Sequence, residues 1–236
     1  DEGVSLYRNE GGTFFSDISM PSGVRGPSLK RLGWGVSFVD CDNDGWSDLL
    51  SVNGHVLDNI DLFDPGASYR QRRLLLRNMG MGRFEDISDQ AGSGFEPAVV
   101  GRGAAFGDFD NDGDVDVFIN NNNSPATLLR NEGGNRNHWL MVKLVGGRGK
   151  KSRETPDVKR ETGKAVAVAA AGKAKGSEVR DQGDPASRPR LSNRNGIGAR
   201  VTVWADGRQQ VKEVRSGSSY MSQNDFRVHF GLGSAG

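Results

Sequence analysis

Two short acidic stretches, residues 40–48 and 108–116, carry most of the potential for chemistry in this chain. Both read D-x-D-N-D-G-x-x-D. Four or five carboxylates in so short a loop repel one another strongly unless a cation lies among them. Calcium is the natural candidate, because it takes about six to eight hard oxygen ligands in a flexible geometry.

EF-hand calcium loops suggest which atoms of these stretches bind the ion. In such a loop the first, third and fifth residues give side-chain oxygens, the sixth is glycine, and the seventh gives its carbonyl. The same order assigns one ion to Asp40, Asp42, Asp44 and the Trp46 carbonyl, and a second ion to Asp108, Asp110, Asp112 and the Asp114 carbonyl. An EF-hand closes with glutamate at its twelfth position, where this chain has Ser51 and Ile119. We therefore predict that the ninth residues, Asp48 and Asp116, close the two sites.

The segments beside each acidic stretch favour strands. They are short apolar runs with β-branched and aromatic residues and without a helical period, namely residues 35–39, 49–52, 103–107 and 117–119. Each metal loop is thus predicted to join two strands. The alternative is a solvated turn rich in Asp, Asn and Gly, but a turn needs only one or two such residues. Two copies with identical spacing favour the metal loop.

Composition favours a turn-rich, all-β protein. The chain has 236 residues, 34 of them glycine, with 35% hydrophobic and 26% charged residues and a net charge of +1. This length suits one large or two ordinary domains. No apolar run has the length of a membrane helix, and the lone Cys41 excludes an internal disulfide framework. The chain begins with Asp1 and shows no signal peptide, so we expect a mature chain or a fragment of a longer one.

A second repeat alternates with the acidic one. Residues 6–19 return as residues 75–88, an offset of 69, and the opening L-L-R-N returns at residues 128–131, a further 53 residues on. The unit is thus roughly 53 residues, with about 15 more inserted between Asp48 and Leu74. Repeats of this length with several strands each are typical of β-propeller blades.

These units resemble FG-GAP (VCBS-type) repeats, the blades of integrin-α-like propellers, whose calcium loops carry the same nine-residue pattern. The resemblance covers residues 1–134. It implies calcium ligands at Asp40, Asp42, Asp44, Trp46 and Asp48 and at Asp108, Asp110, Asp112, Asp114 and Asp116. Two loops cannot close a ring of about four to eight blades. Either the other blades lie outside this chain, or these blades stack in an open arrangement.

The pattern changes in residues 135–236, for which we predict a small β domain. Strands are predicted over residues 138–145, 198–204, 210–215 and 228–233, with Asp206-Gly207 as a two-residue hairpin turn. This region resembles the UnbV/ASPIC domain, which commonly follows such repeats. The resemblance rests on residues 138–140, 192–200, 217–220 and 229–233. No catalytic chemistry is implied by either resemblance.

A basic insert at residues 148–190 fits neither family. It holds 12 Lys or Arg against 6 Asp or Glu, and it has no aromatic residue. Such a segment cannot bury enough apolar area to offset the entropy of ordering, so we predict a mobile loop, with one or two helical turns at residues 165–171 as an option. An alternative function follows from its charge, since a basic loop can bind polyanions.

The sequence as a whole predicts an extracellular or cell-envelope-exposed calcium-binding protein. The ions are expected to be structural, and adhesion to, or recognition of, a protein or glycan is expected to lie on exposed loops. We expect no enzyme, because the sequence contains none of the common nucleophile, nucleotide or zinc motifs and the three histidines, His55, His138 and His229, lie in repeat or strand contexts. Nucleic-acid binding is not expected either. The alternative is an enzyme, or an accessory domain of a biosynthetic or carbohydrate-active enzyme.

Overall fold

The computed structural model describes residues 3–145, 165–170, 195–205 and 207–234. Nearly all regular structure in these ranges is β. The strands of the repeat region are β1 (Tyr7–Asn9), β2 (Phe15–Asp17), β3 (Gly33–Val39), β4 (Asp48–Asn53), β5 (Leu74–Asn78), β6 (Phe84–Asp86), β7 (Gly101–Gly107), β8 (Asp116–Asn121) and β9 (Thr127–Leu129). Helices are short: one α-helix, α1 (Arg25–Ser28), and 3-10 turns at Ile60–Leu62, Ser88–Gln90, Ser93–Phe95 and Gly134–Arg136.

Each predicted metal loop is the connection of an antiparallel hairpin. β3 to β6 form a four-stranded antiparallel sheet in chain order, and β7 to β9 form a three-stranded one. Residues 40–48 join β3 to β4, where Val39 pairs with Asp48, and residues 108–116 join β7 to β8, where Gly107 pairs with Asp116. The prediction of strand–loop–strand units is confirmed, and the two loops occupy equivalent positions in the two sheets.

The two sheets pack face to face around one apolar core. Its buried side chains come from both sheets, and they include Leu50, Val52, Phe106, Val117 and Ile119. β3 and β4 both contact β7. The approach is close at Gly35, where a Cβ atom would lie 2.8 Å from the Ala104 side chain. The core therefore fixes the ends of β3 and β7, from which the two acidic loops emerge.

The second sequence repeat folds the same way in both copies. β1–β2 and β5–β6 are each a hairpin followed by a D-I-S turn. In one turn Asp17 Oδ1 accepts hydrogen bonds from the N–H (2.9 Å) and hydroxyl (2.5 Å) of Ser19. In the other, Asp86 Oδ1 accepts the same two bonds from Ser88, again at 2.9 and 2.5 Å. The repeated letters thus encode one local structure, made twice.

The C-terminal region forms a smaller β unit with its own core. Its strands are β10 (His138–Val145), β11 (Ala165–Ala170), β12 (Arg200–Ala205), β13 (Arg208–Glu213) and β14 (Val228–Gly233). β10 lies between β14, to which it is antiparallel, and β11, to which it is parallel. β12 and β13 form the predicted hairpin, in which Ala205 pairs with Arg208. Buried side chains of this second core include Val142, Leu144, Val214 and Phe230.

The basic insert is described only in part. The helical option for residues 165–171 is wrong, since residues Ala165–Ala170 form strand β11. β-branched Val166 and Val168 favour a strand, and the edge of β10 offers free backbone hydrogen-bonding groups, which outweigh the helix propensity of the alanines. The rest of the predicted mobile loop, residues 148–164 and 171–190, lies outside the described residues. None of the helices that the structure describes has the length and apolar character needed to cross a membrane.

Candidate metal centres

The structure brings together the first three acids of each loop. Carboxylate oxygens of one triad lie within 4.8 Å of one another, and those of the other triad do the same. The triads are Asp40, Asp42 and Asp44, and Asp108, Asp110 and Asp112. The first acid of each triad is buried, whereas the other two are half-buried. Six of the ten residues predicted as ligands are therefore gathered into two compact oxygen clusters.

The two loops have the same backbone geometry. Asn43 and Asn111 adopt positive φ angles of 57° and 62°, and Gly45 and Gly113 adopt φ angles of 86° and 100°. These are left-handed conformations, which Asn and Gly tolerate best. Asp40 Oδ1 and Oδ2 accept hydrogen bonds from the N–H groups of Asp44 (3.1 Å) and Gly45 (3.0 Å). The equivalent two bonds to Asp108 are both 3.1 Å long.

The ninth acids tie each loop to the next strand of its sheet. Asp48 accepts hydrogen bonds from the N–H groups of Cys41 (3.0 Å) and Asn78 (2.8 Å). Asp116 accepts the equivalent bonds from Phe109 and Asn131, both 2.9 Å long. The asparagine is the last residue of the repeated Leu-Arg-Asn motif. Each of these carboxylate oxygens still has a lone pair with which it could bind an ion. Ligation of the ions by Asp48 and Asp116 therefore stays a prediction.

The seventh residues differ between the loops. Trp46 is 39% exposed, and its N–H donates to Asp44 Oδ1 at 2.7 Å. Asp114, in contrast, is fully buried, and its N–H donates to Asp112 Oδ1 at 3.2 Å. Only carbonyl ligation was predicted for these two positions, and it stays a prediction. The resemblance implied Asp114 as a ligand, but the sequence did not indicate that its side chain is buried beside the Asp112 carboxyl.

Buried carboxylate oxygens without hydrogen-bond partners indicate which kind of ligand the loops could bind. Among the described residues, Asp42 Oδ1, Asp110 Oδ1 and Asp114 Oδ1 are buried and accept no hydrogen bond. A buried carboxylate oxygen without a partner is costly, because it has lost water and gained nothing. Two of these atoms occupy the same third position of the two loops. A hard divalent cation in each loop would give Asp42 Oδ1 and Asp110 Oδ1 a partner, so the residues of the two triads fit calcium.

Burial already disfavours the charged forms of several of these acids. It raises the pKa of Asp40 to about 7, against the opposing effect of the nearby Lys212 ammonium. The pKa of Asp114 also rises to about 7, through burial and the adjacent Asp112 carboxyl. Burial raises the pKa of Asp48 to about 6, although the N–H groups of Asn78 and Cys41 counteract it. Keeping these clusters ionised at neutral pH therefore calls for positive charge.

The repeated Leu-Arg-Asn motif supplies some of that charge. Arg130 Nε lies 2.8 Å from Asp110 Oδ2, and Arg77 Nε lies 3.7 Å from Asp42 Oδ2. Both arginines thus lie beside the acid at the third position of a loop. All four side chains are partly exposed, so each pair is weak and leaves one oxygen of that acid without a partner. The sequence repeat contains both arginines, but only the structure shows that they lie beside the acidic loops.

Fold and site together define an all-β protein in which two hairpin sheets carry equivalent acidic, cation-fitting loops. Residues 189–236 match the family model described as ASPIC and UnbV, which confirms the predicted resemblance for the end of the chain. The chain is also similar to cartilage acidic protein 1 of Mus musculus and of Homo sapiens, at 25% identity over 186 residues in both cases. Each match covers 58% of this chain and 28% of the relative. This chain therefore spans less than a third of the length of these relatives.

Proposed function

We propose that this chain binds two calcium ions as structural elements of a protein that acts in adhesion or recognition outside the cell. The buried, unpartnered Asp42 Oδ1 and Asp110 Oδ1 atoms carry the calcium proposal, because they occupy equivalent positions in two independent loops. Asp40, Asp42 and Asp44 would hold one ion, and Asp108, Asp110 and Asp112 the other.

Bound calcium would supply charge neutralisation and a fixed distance between the two strands of each hairpin. The protein's own contribution is to hold the first acid of each loop under two backbone N–H groups and the ninth acid against the following strand. This scaffold fixes the first and ninth acids of each loop, while the position of the acids between them would depend on the ion. Ion binding is then coupled to the stability of the fold.

A location outside the cell and a non-catalytic role belong to the same proposal. Similarity to cartilage acidic protein supports an extracellular setting, where free calcium near millimolar suits modest affinities. His55 Nδ1 accepts a hydrogen bond from the Leu57 N–H at 3.0 Å, and His229 Nε2 lies 3.1 Å from the Gly113 carbonyl oxygen. Such contacts suit structural histidines better than a general base. The ligand we propose is a protein or glycan bound by exposed loops.

Thermal melting tests the structural-ion proposal. Ligand at a hundredfold excess over its Kd stabilises a protein by about 2.7 kcal/mol per site. For a chain of this size that corresponds to a Tm rise of roughly 5–10 °C. We expect EGTA to lower Tm and calcium, but not equal magnesium, to restore it. An unchanged melting curve, with no heat of calcium binding in calorimetry, would refute the proposal.

An array of glycans and surface proteins tests the recognition part. Binding of the labelled chain in millimolar calcium is expected to weaken in EGTA, because the strands that carry the exposed loops lose the geometry that calcium fixes. Asp89→Ala is a suitable control, since this aspartate is exposed, pairs with Arg72 and lies outside both loops. If the chain binds an array member equally well with and without calcium, then recognition does not depend on the ions.

A further inference from the structure

We propose that the two acidic loops are also the docking surface for the C-terminal β unit (β10 and residues 195–234), so that calcium controls the attachment of that unit to the two sheets. This inference rests on the proposed calcium function, and it adds a regulated partner for the same sites, namely another part of the same chain. The contacts that carry it come from β13, β14 and the residues just before β14.

The first loop is contacted through its main chain. The Gly233 N–H donates to the Asn43 carbonyl at 2.8 Å, and Arg208 Nη2 donates to the Asp44 carbonyl at 3.0 Å. The Arg208 guanidinium also lies 4.8 Å from the centre of the Trp46 ring. β14 approaches so closely that a Cβ atom on Gly231 would lie 2.1 Å from Asp40 Oδ2.

The second loop is contacted in a similar way. Arg227 donates to the Asp108 carbonyl at 2.6 Å and to Asn111 Oδ1 at 2.5 Å. His229 Nε2 lies 3.1 Å from the Gly113 carbonyl oxygen and must donate, because a carbonyl can only accept. A Cβ atom on Gly113 would lie 2.0 Å from the Trp139 side chain. β14 therefore reaches both loops, with His229 at the second and Gly231 and Gly233 at the first.

The loops also contact each other at the same point. The buried Asn43 side chain of the first loop donates through Nδ2 to the Gly113 carbonyl of the second at 2.9 Å. That carbonyl oxygen thus lies within hydrogen-bonding distance of both Asn43 and His229. A change in the shape of either loop would be felt by the other loop and by β14.

Most of these contacts use loop carbonyl oxygens, whose positions depend on the backbone shape of the loop. Removing the cation leaves three or more carboxylates in mutual repulsion and frees that shape. Among the described residues, the two apolar cores share no side chain, so the polar contacts with the loops are an important part of the interface. A cavity of about 570 Å³ lies between the two parts, lined by Phe38, Lys212 and Asp225 among others.

A second contact region between the two parts borders the same cavity. There the Asp225 N–H donates to the Phe106 carbonyl at 3.0 Å, and the Val36 N–H donates to Ser219 Oγ at 2.8 Å. Phe106 and Val36 belong to β7 and β3, the strands that lead into the two acidic loops. This region gives the test a contact that does not itself touch a loop.

Reciprocal linkage provides the first test. If calcium strengthens docking, then weakening the docking contact must weaken calcium binding by the same factor. We expect Arg208→Ala in the full chain to lower calcium affinity about 5-fold to 10-fold at one site. Removing the positive charge, which acts on the Asp44 carboxylate, would by itself favour cation binding, so a loss of affinity would report the lost docking contact. Arg215→Ala is the matched control, because Arg215 is exposed on the same unit and pairs only with Glu213 among the described residues. Equal affinity in the two variants would overturn the proposal.

Amide hydrogen exchange, resolved by NMR, provides the second test. The Gly233 N–H donates across the interface, whereas the Gly198 N–H donates to the Val214 carbonyl within the C-terminal unit. EGTA should accelerate exchange at Gly233 by tenfold or more and leave Gly198 protected. If calcium raises Tm but both amides exchange as before in EGTA, docking is independent of the ion and only this inference fails. If no calcium binds at all, the proposed function fails first.

Discussion

Single atoms decide how well each loop suits a cation. Asp42 Oδ1 and Asp110 Oδ1 are buried without a partner, while the other oxygen of each side chain faces an arginine. Asp114 adds a third unpartnered oxygen in the second loop only, where the first loop has Trp46. The second loop therefore carries one more acidic side chain than the first loop. We infer that it binds calcium more tightly than the first loop.

Asp112→Ala and Asp44→Ala form a reciprocal pair of tests. Each variant removes the fifth-position acid of one loop, and we expect each to weaken its own site by at least tenfold. The other site should change less, because the Asn43 to Gly113 hydrogen bond between the loops passes on only part of the change in backbone shape. Two-site calorimetry measures both affinities in one titration. Equal weakening of both sites by either variant would contradict two separate centres.

His229 makes a pH-dependent contribution to stability. Burial, together with the Lys212 and Arg227 charges, lowers the pKa of His229 to about 4, although the Gly113 carbonyl favours the charged ring. The ring is therefore neutral in the fold, whereas in the unfolded chain it takes up a proton below about pH 6.5. Its contribution is present above about pH 6.5 and is lost as pH falls toward 4.

His229→Gln tests this contribution, because glutamine can still donate to the Gly113 carbonyl but does not titrate. Between pH 7.5 and pH 5.5 we expect the wild type to lose about 1 kcal/mol more stability than the variant. Denaturant unfolding at fixed calcium measures both losses, and the effect of pH on the calcium sites cancels in the comparison. If the wild type and the variant lose the same free energy of unfolding, then the pKa of His229 is not lowered in the folded protein.

Sequence patterns identified the acids but not the environment of each one. The D-x-D-N-D-G-x-x-D spacing gave both triads, since a loop this short has few ways to fold around one cation. Arg73 illustrates what such patterns miss. The residue is 2% exposed, and its guanidinium donates to the Gly94 carbonyl at 2.6 Å and to Thr127 Oγ1 at 3.2 Å. Nothing local marks this arginine as buried, because both partners come from distant parts of the chain.

Strands were predicted well where the apolar pattern was strong. β10 and β14 have the predicted bounds, and the hairpin of β12 and β13 has the predicted two-residue turn. The error at β11 has a physical cause, because a parallel pairing depends on a partner far along the chain and local sequence does not report it. For the same reason, local sequence did not predict that β14 packs against the acidic loops, although glycines in a strand can indicate the close approach of another backbone.

Gly231→Ala tests that close approach at the level of the strand. The new methyl group would meet Asp40 Oδ2 at 2.1 Å and the Asn43 Cα atom at 2.6 Å, so either β14 or the first loop must move. We expect a loss of about 1–3 kcal/mol in the free energy of unfolding, typical of overpacking, and weaker calcium binding at the first loop. Chemical denaturation and calorimetry measure the two effects.

Gly12→Ala is the control for this variant, because a Cβ atom there would have no neighbour within 4 Å. It should leave both stability and calcium binding close to those of the wild type. If Gly231→Ala behaves like Gly12→Ala, then β14 does not press on the loop as the structure describes.

At the scale of the whole molecule, charge is distributed unevenly. The insert at 148–190 carries +6, and since the chain totals +1, the remainder carries −5. The acidic part contains the two predicted metal sites, and two divalent ions would bring it close to neutral. Long-range attraction between the basic and acidic parts is screened within about 8 Å at physiological salt. We therefore expect the charge of the insert to have little effect on the ion sites.

Heparin chromatography tests the polyanion alternative. Replacing Lys150, Lys151 and Arg153 by glutamine removes three charges without touching strand β11. We expect wild type and variant to elute together at low salt, because the insert has no aromatic residue to stack on a ligand. Strong retention of the wild type that disappears in the variant would instead establish polyanion binding.

The Gly113 carbonyl oxygen, which lies against Asn43 and His229 at once, has a practical consequence for anyone who trims this chain. A fragment ending near residue 134 would keep every acidic ligand and would still look intact by sequence. Its loops would nevertheless face solvent where β14 now lies. Calcium affinities measured on such a fragment would be lower than those of the longer protein. A weak affinity would then reflect the missing C-terminal unit and not the ligands of the ion sites.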